Sequence, residues 1–331
     1  MDILYQFYFD FLKKLGLNEA LINIFWYIFP FVIAVVAFFT IANLVFFLDK
    51  KLYKIMNETE NLSIMNLECI KSNRFSLLIL ITFSIFLWGL IPYSNKYFPI
   101  NTDVGVFIFF VSLVGLLFSL LVSRKKKDAF LRFEIICGLF SFMLPIFISQ
   151  LSIVFLSSSF NLNEIVLAQT LTQNAIGWMI TPSVAGFFVY ILGVVFSFSF
   201  IDKSLNISGF CLYNISNCQI KALLLCYYSL LFILAAYGVC LFLGGYLPPL
   251  GFYVSELFNI HYVLNLSAVY LEQIFWLLLK SLLVVIFIMG LKIKILKVSK
   301  DSLINFSWFV LVPVAILNVI ICMGILALGG K

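Results

Sequence analysis

The residues that most often carry redox or metal chemistry are sparse in this chain of 331 residues. Seven cysteines occur, but no two are spaced as Cys-x-x-Cys, and His261 is the only histidine. A zinc site, a haem or an iron–sulfur cluster needs several such ligands at short spacing. We therefore expect buried thiols that pack as small apolar groups, with no metal site and no redox centre in this chain.

Charged residues lie almost entirely between the apolar runs of the sequence. All fifteen acidic residues fall in predicted loops or at the ends of predicted membrane spans, with Glu134 and Glu272 nearest the membrane. Lys280 is the one charge clearly inside a span. Ionisable groups in a membrane are costly to keep and mark ion or proton paths. A single such group argues against a self-contained pump, and we expect Lys280 to be buried beside a polar partner.

The composition indicates a membrane protein, because 63% of the residues are hydrophobic, 11% are charged and the mean hydropathy is +1.13. A soluble domain cannot bury that much apolar surface. We predict an all-α, polytopic membrane helix bundle that forms a single integral membrane domain over residues 1–331. Residues 1–20 do not fit a cleavable signal peptide and predict an interfacial N-terminal helix. About eight transmembrane helices, each needing about 20 apolar residues, are predicted at about 21–48, 75–94, 104–123, 135–158, 178–200, 222–245, 271–290 and 306–329.

Lysine and arginine are distributed unequally between the two sides of this bundle. The first, third, fifth and seventh loops hold sixteen basic residues, whereas the termini and the remaining loops hold four. Because loops rich in lysine and arginine stay on the inner side, both termini are predicted to face outward. The net charge of +6 therefore reflects membrane orientation, and nucleic acid is not an expected partner.

The sixth apolar run ends in an abrupt stop, CLFLGGYLPP (240–249). Its two glycines free the backbone, and its two prolines prevent the helix from resuming. With IFWLLLKSLL (274–283) and KVSKDSLINFSWFVLVPVAILN (297–318), this stretch resembles the C-terminal third of the H subunit of NADH-quinone oxidoreductase, which is subunit 1 of respiratory complex I. SSFNLNEIVLAQ (158–169) and LDKKL (48–52) resemble the segments after that family's fourth and first helices.

The resemblance implies which charged residues would line a quinone cavity or a proton path. These candidates match the family's motifs or stand where the family carries other charged residues: Asp49, Lys50, Lys51, Asp202, Lys280, Lys292, Lys297 and Asp301. Two positions depart from the family, because Met143 and Tyr227 stand where it has glutamates. Methionine cannot titrate and tyrosine is a poor proton relay at neutral pH, so we expect weaker proton access through this chain.

The function implied by the resemblance is that of a membrane-arm subunit of a proton-translocating NADH-quinone oxidoreductase. The chain would help form the quinone cavity and the junction with the peripheral arm. Quinone would be the substrate, while NADH, FMN and the iron–sulfur clusters would be held by partner subunits. The expected partners are the peripheral subunits at the quinone site, small membrane subunits and lipid. The expected location is the bacterial inner (plasma) membrane, with the mitochondrial inner membrane as the alternative.

Two other interpretations stay open. One is the membrane subunit of an energy-converting hydrogenase-type complex, which shares the same ancestry. The other is a non-catalytic membrane scaffold or a transporter that retains the fold. A transporter would predict an internal repeat with paired broken helices, and the two halves of the sequence show no convincing similarity to each other.

Overall fold

A computed structural model describes residues 36, 39–49, 51–52, 74–93, 102–121, 128–170, 178–205, 218–249, 262–295 and 297–329. Regular structure in these residues is helical, apart from one antiparallel bridge between Asp103 and Asn161. The helices in chain order are α1 (Phe39–Asp49), α2 (Arg74–Gly89), α3 (Val104–Leu121), α4 (Asp128–Ser157), α5 (Leu162–Ala168), α6 (Val184–Leu205), α7 (Cys218–Phe242), α8 (Tyr262–Ile295), α9 (Lys300–Phe306) and α10 (Val312–Gly329). A π-helical turn, Ser307–Leu311, joins α9 to α10.

The class expected from the sequence, a polytopic helical membrane protein, is confirmed. Five described helical segments are long and apolar enough to cross a membrane: Phe133–Ser157, Val184–Ser204, Ala222–Phe242, Leu271–Ile295 and Lys300–Leu328. Shorter apolar helices lie at the first three predicted spans: Phe39–Asp49, Leu78–Gly89 and Val104–Gly115. The total of eight spans stays a prediction, and the interfacial helix over 1–20 lies outside the described residues.

Several helices extend beyond the membrane spans expected from hydropathy; α4, for example, begins at Asp128 rather than near residue 135. Helix α8 begins at Tyr262 and continues to Ile295, so its 34 residues measure about 51 Å. The last apolar segment begins at Lys300 rather than near residue 306. Hydropathy detects the part of a helix that suits lipid, whereas backbone hydrogen bonding continues through polar residues at either end.

Helix α7 is the centre of the bundle, and nearly every described side chain along it is buried. It packs against α2, α6 and α8. The buried polar atoms of its neighbours find partners on α7: Trp88 Nε1 donates to Ser229 Oγ at 2.7 Å, and the Tyr190 hydroxyl donates to the Leu234 carbonyl at 2.7 Å. These bonds matter because an unpaired polar group in an apolar interior costs free energy.

Helices α4, α6 and α10 pack closely because small and polar residues lie between them. A Cβ on Gly186 would lie 2.4 Å from Ser183 Oγ, so the close approach requires glycine at this position. Ser183 bonds Ser152 of α4 at 3.0 Å and accepts from Asn318 of α10 at 2.9 Å. Interhelical hydrogen bonds and small residues are the usual means of association for helices surrounded by lipid. This chain of polar contacts therefore fixes α10 to the bundle.

Candidate functional site: a buried charged network and a lysine clasp

Helices α1, α6 and α8 bring two carboxylates and one ammonium together in a buried cluster. Asp49 lies on α1, Asp202 lies near the end of α6, and Lys292 lies in the last turn of α8. Lys292 Nζ is 3.3 Å from Asp49 Oδ2 and 3.2 Å from Asp202 Oδ2. Each of the three residues is only 3% exposed. One lysine therefore joins α1 and α6 to the end of α8, and α7 supplies the rest of the cluster.

Two neighbouring tyrosines of α7 complete this arrangement. The Tyr227 hydroxyl donates to Asp202 Oδ1 at 2.6 Å, and the Tyr228 hydroxyl donates to Asp49 Oδ2 at 2.6 Å. Lys292 Nζ also lies 5.6 Å from the centroid of the Tyr227 ring, within cation–π range. We call Asp49, Asp202, Tyr227, Tyr228 and Lys292 the charged network.

The charged network carries more acid than base among the described residues, with two carboxyl groups for one ammonium. A buried carboxylate is retained only when it is paired and hydrogen-bonded. Each aspartate here has both an ion-pair partner and a phenol donor. Hydrogen-bonded groups of this kind are the chemistry from which proton paths in membranes are built.

A second buried lysine lies farther back along α8. Lys280 is 8% exposed, and its position 12 residues before Lys292 corresponds to about 18 Å along the helix axis. Its Nζ donates to the carbonyls of Leu243, Gly245 and Leu247 at 2.8, 3.1 and 2.6 Å. The expectation that Lys280 is buried beside a polar partner is therefore confirmed.

The Gly-Gly stop supplies the carbonyl acceptors of this contact. We call Lys280 together with these three carbonyls the lysine clasp. Gly244 and Gly245 have φ values of +72° and +51°, a region that L side chains rarely adopt. A Cβ on Gly244 would lie 2.7 Å from Trp178 Nε1, and the Trp178 ring centroid is 4.5 Å from Lys280 Nζ. Both the backbone conformation and the space at the stop therefore require glycine.

Comparison with known families gives a match that covers most of the chain. The family model described as NADH dehydrogenase matches residues 71–323, which is most of the chain. The chain belongs to the NADH dehydrogenase family. Glu134, the π-turn and both buried lysines fall within the matched residues, whereas Asp49 precedes them.

Curated relatives within this family share one name, that of the H subunit of NADH-quinone oxidoreductase. The chain is similar to that of Magnetococcus marinus, at 26% identity over 73% of this chain and 68% of the relative. The Anoxybacillus flavithermus protein is 27% identical over 66% of this chain and 63% of its own length. The Carboxydothermus hydrogenoformans protein is 23% identical over 73% of this chain and 66% of its own length. The chain thus spans about two thirds of the length of these relatives.

The remaining candidate residues of this family member lie apart from the charged network. Lys51, Lys297 and Asp301 are exposed, and Lys50 lies outside the described residues. Asp301 is in the first turn of α9, where a negative charge favours the positive end of the helix dipole. Of the eight candidates, the structure brings together Asp49, Asp202 and Lys292; the roles of all eight stay predictions.

Two further lysines fix the turn between α8 and α9. Lys203 of α6 donates to the carbonyls of Ile295, at 3.0 Å, and Val298. Lys300 pairs with Glu134 of α4 at 2.9 Å. Lysine near a helix C-terminus stabilises the last carbonyls, so these contacts hold the end of α8, and with it Lys292, in place. Among the described residues no group of three His, Cys, Asp or Glu could hold a metal ion.

Met143 and Tyr227, the two positions where the resemblance implies glutamates, line one small cleft. It lies among α3, α4, α6 and α7 and has a volume of about 40 Å³. Its walls are apolar apart from Ser197 and the Tyr227 ring edge. The cleft is far too small for a quinone ring, and an apolar space does not hold ordered water well. It gives no hydrated route past Met143.

Sequence reasoning did not anticipate two parts of the site. Tyr228 was absent from the candidates, although adjacent tyrosines in an apolar helix indicate two hydroxyls that need buried partners. Trp178 was also missed, and its position beside a turn gives no separate signal in the sequence. The candidate acids were named individually, but their shared partner Lys292 is 243 residues from Asp49 along the chain.

Proposed function

We propose that this chain is a membrane-arm subunit of an NADH-quinone oxidoreductase in a bacterial inner membrane. It helps form the quinone cavity and the junction with the peripheral arm. Membership of the family and the shared name of the relatives support this proposal. The observation that carries the finer assignment is the charged network, in which three charged side chains of α1, α6 and α8 are buried together near the C-terminal ends of α6 and α8.

The charged network suits a position beside the quinone cavity. The positive-inside pattern predicts that these helix ends face the side from which electrons arrive. Quinone reduction takes up protons together with electrons, and the network offers two carboxyl and two phenol groups linked by hydrogen bonds. In this proposal Asp49, Asp202 and Lys292 line the inner wall and pass or hold protons.

The exposed candidates suit the junction with the peripheral arm. Lys51, Lys297 and Asp301 present charge to the surface at the same predicted side of the membrane. The peripheral subunits would supply NADH oxidation, FMN and iron–sulfur clusters, and would complete the quinone cavity together with this chain. Quinone is the substrate of the complex, and this chain contributes side chains to its binding and protonation.

An Asp202→Asn variant in the assembled complex tests the proposal. The amide keeps the shape of the carboxylate but cannot carry its charge, so we expect NADH:quinone reduction to fall at least about tenfold, corresponding to about 1.4 kcal/mol of transition-state stabilisation. Electron transfer from NADH to an artificial acceptor at the peripheral arm should be unchanged, because it bypasses quinone. Asp103→Asn, which makes the same change at an exposed carboxylate just before α3, is the matched control.

Tyr227→Phe keeps the ring packing and removes the hydrogen bond to Asp202. It therefore still tests the charged network if Asp202→Asn fails to fold. Quinone reduction that stays complete in both variants would contradict the role of the charged network. Copurification of the chain with hydrogenase subunits instead of NADH-oxidising subunits would contradict the assignment to an NADH-quinone oxidoreductase.

A further inference from the structure

The lysine clasp is the most unusual buried feature outside the charged network. An ammonium group has three N–H donors, and Lys280 has three carbonyl acceptors within 3.1 Å. Among the described residues, no carboxylate lies within ion-pair distance of Lys280. The positive charge is therefore balanced by neutral groups alone in this part of the chain.

The backbone of the stop is shaped to converge on this ammonium. The carbonyls of residues 243, 245 and 247 meet at one point because Gly244 and Gly245 turn the chain through positive φ. The turn is held by Gly245 N donating to the Val239 carbonyl at 2.9 Å and by Leu247 N donating to the Gly244 carbonyl at 2.8 Å. The acceptors are thus fixed by the chain fold and do not depend on mobile side chains.

Two further features of the surroundings favour a cation at this point. The stop follows directly after α7, and the C-terminal end of a helix carries a partial negative charge. The Trp178 ring lies 4.5 Å from Lys280 Nζ, and the face of tryptophan is the best aromatic partner for a cation. Trp178 is held against the stop, since Ile180 N donates to the Phe242 carbonyl at 3.0 Å.

We propose that the turn after α7 is a cation site for a primary ammonium group, which the chain fills with its own Lys280. The bound ammonium fixes the register between α7 and α8 at this end, and it stays protonated during turnover. Near the other end of α7, Lys292 of α8 lies over the Tyr227 ring and also pairs with Asp202 of α6. Lys280 is in this proposal a positioning residue and does not carry protons.

Replacing Lys280 shows whether this residue acts as a fixed cation or as a group that exchanges protons. Arginine in proteins does not lose its proton, so Lys280→Arg keeps a cation and ends any proton transfer at this position. Lys280→Met keeps most of the length of the side chain and removes the charge, which leaves three buried carbonyls without a donor. Lys294→Met, which removes an exposed charge from the same helix, is the matched control.

The measurement is the thermal stability of the full-length chain, solubilised in mild detergent with its bound partners. We expect Lys280→Met to lower the melting midpoint by about 4 °C or more relative to Lys294→Met. Lys280→Arg should lose less than half as much. Equal midpoints for Lys280→Met and Lys294→Met would overturn the proposal, as would Lys280→Arg being no better than Lys280→Met.

Chemical rescue tests the chemistry of the site directly. Lys280→Ala removes three carbons and the nitrogen, which is the size of n-propylammonium. Adding n-propylammonium at neutral pH should restore most of the lost stability of this variant and leave the native chain unchanged. Rescue by n-propanol to the same extent would show that the site needs only volume, and no rescue by either compound would show that it does not bind an ammonium ion. Either result would overturn the proposal.

Discussion

Removal of the Lys292 ammonium is the sharpest test of how the charged network holds the bundle together. Lys292→Met keeps a similar volume but leaves Asp49 and Asp202 facing each other with only their tyrosine donors. Removing one partner of a buried ion pair costs about 3–5 kcal/mol, since the remaining charge is left uncompensated in a low dielectric. Lys292 serves two carboxylates at 3.2 and 3.3 Å, so we expect a loss at the upper end of that range.

The same reasoning predicts that the loss can be reversed by removing the acids. Replacing a complete buried ion pair by neutral groups is often close to neutral for stability. The triple variant Lys292→Met, Asp49→Asn, Asp202→Asn should therefore regain at least about 2 kcal/mol over Lys292→Met alone, because no buried charge remains in the network. The asparagines can still accept the hydrogen bonds of the two tyrosines.

The assay is the free energy of unfolding in mixed detergent micelles, measured for both variants and for Lys294→Met. The exposed Lys294 should contribute within about 0.5 kcal/mol of zero, as surface substitutions usually do. A loss below about 1 kcal/mol for Lys292→Met would refute the buried ion pairs. A triple variant no more stable than the single one would refute the account of why the loss arises.

Three further predictions follow from separate contacts. Gly186→Ala should lower the free energy of unfolding by about 1–3 kcal/mol, because its Cβ would meet Ser183 Oγ at 2.4 Å. Gly290→Ala, where a Cβ would meet nothing within 4 Å, is the control. Equal free energies of unfolding for the two variants would contradict the close packing at Gly186. Glutamate at both Met143 and Tyr227 should raise the proton-to-electron ratio of the assembled complex in sealed vesicles, and a full native ratio would contradict weakened proton access. Reporter fusions should place both termini outside, and cytoplasmic activity at either terminus would reverse the predicted orientation.

Hydropathy predicted the class of this fold well because lipid imposes one strong constraint. Apolar runs of about 20 residues must form helices, since every backbone polar group needs a partner inside the membrane. The same constraint says nothing about where a helix ends outside lipid. Helix α8 accordingly begins at Tyr262, before the predicted span, and the last segment begins at Lys300.

The site was accessible to sequence reasoning only in part. Lys280 was identifiable because a charge inside an apolar run is rare, and its need for acceptors follows from the cost of burying it. Its acceptors were not identifiable, since backbone carbonyls leave no mark on the sequence beyond the two glycines that aim them. The pairing of Asp49 with Asp202 through Lys292 depends on three helices meeting, which no local pattern encodes.

The two buried lysines of α8 show how one helix can serve two different requirements. Lys292 lies among carboxylates and phenols, with two carboxyl groups for one ammonium among the described residues. Lys280 lies among carbonyls and an indole ring, and no carboxylate among the described residues pairs with it. In the proposal above, Lys280 is a fixed cation near the C-terminal end of α7, and the charged network lies near the other end of that helix. The fixed cation would keep α7 and α8 in register while protons enter or leave the network. The Gly-Gly stop after α7 supplies the three acceptors of Lys280 and so joins α8 to the end of α7.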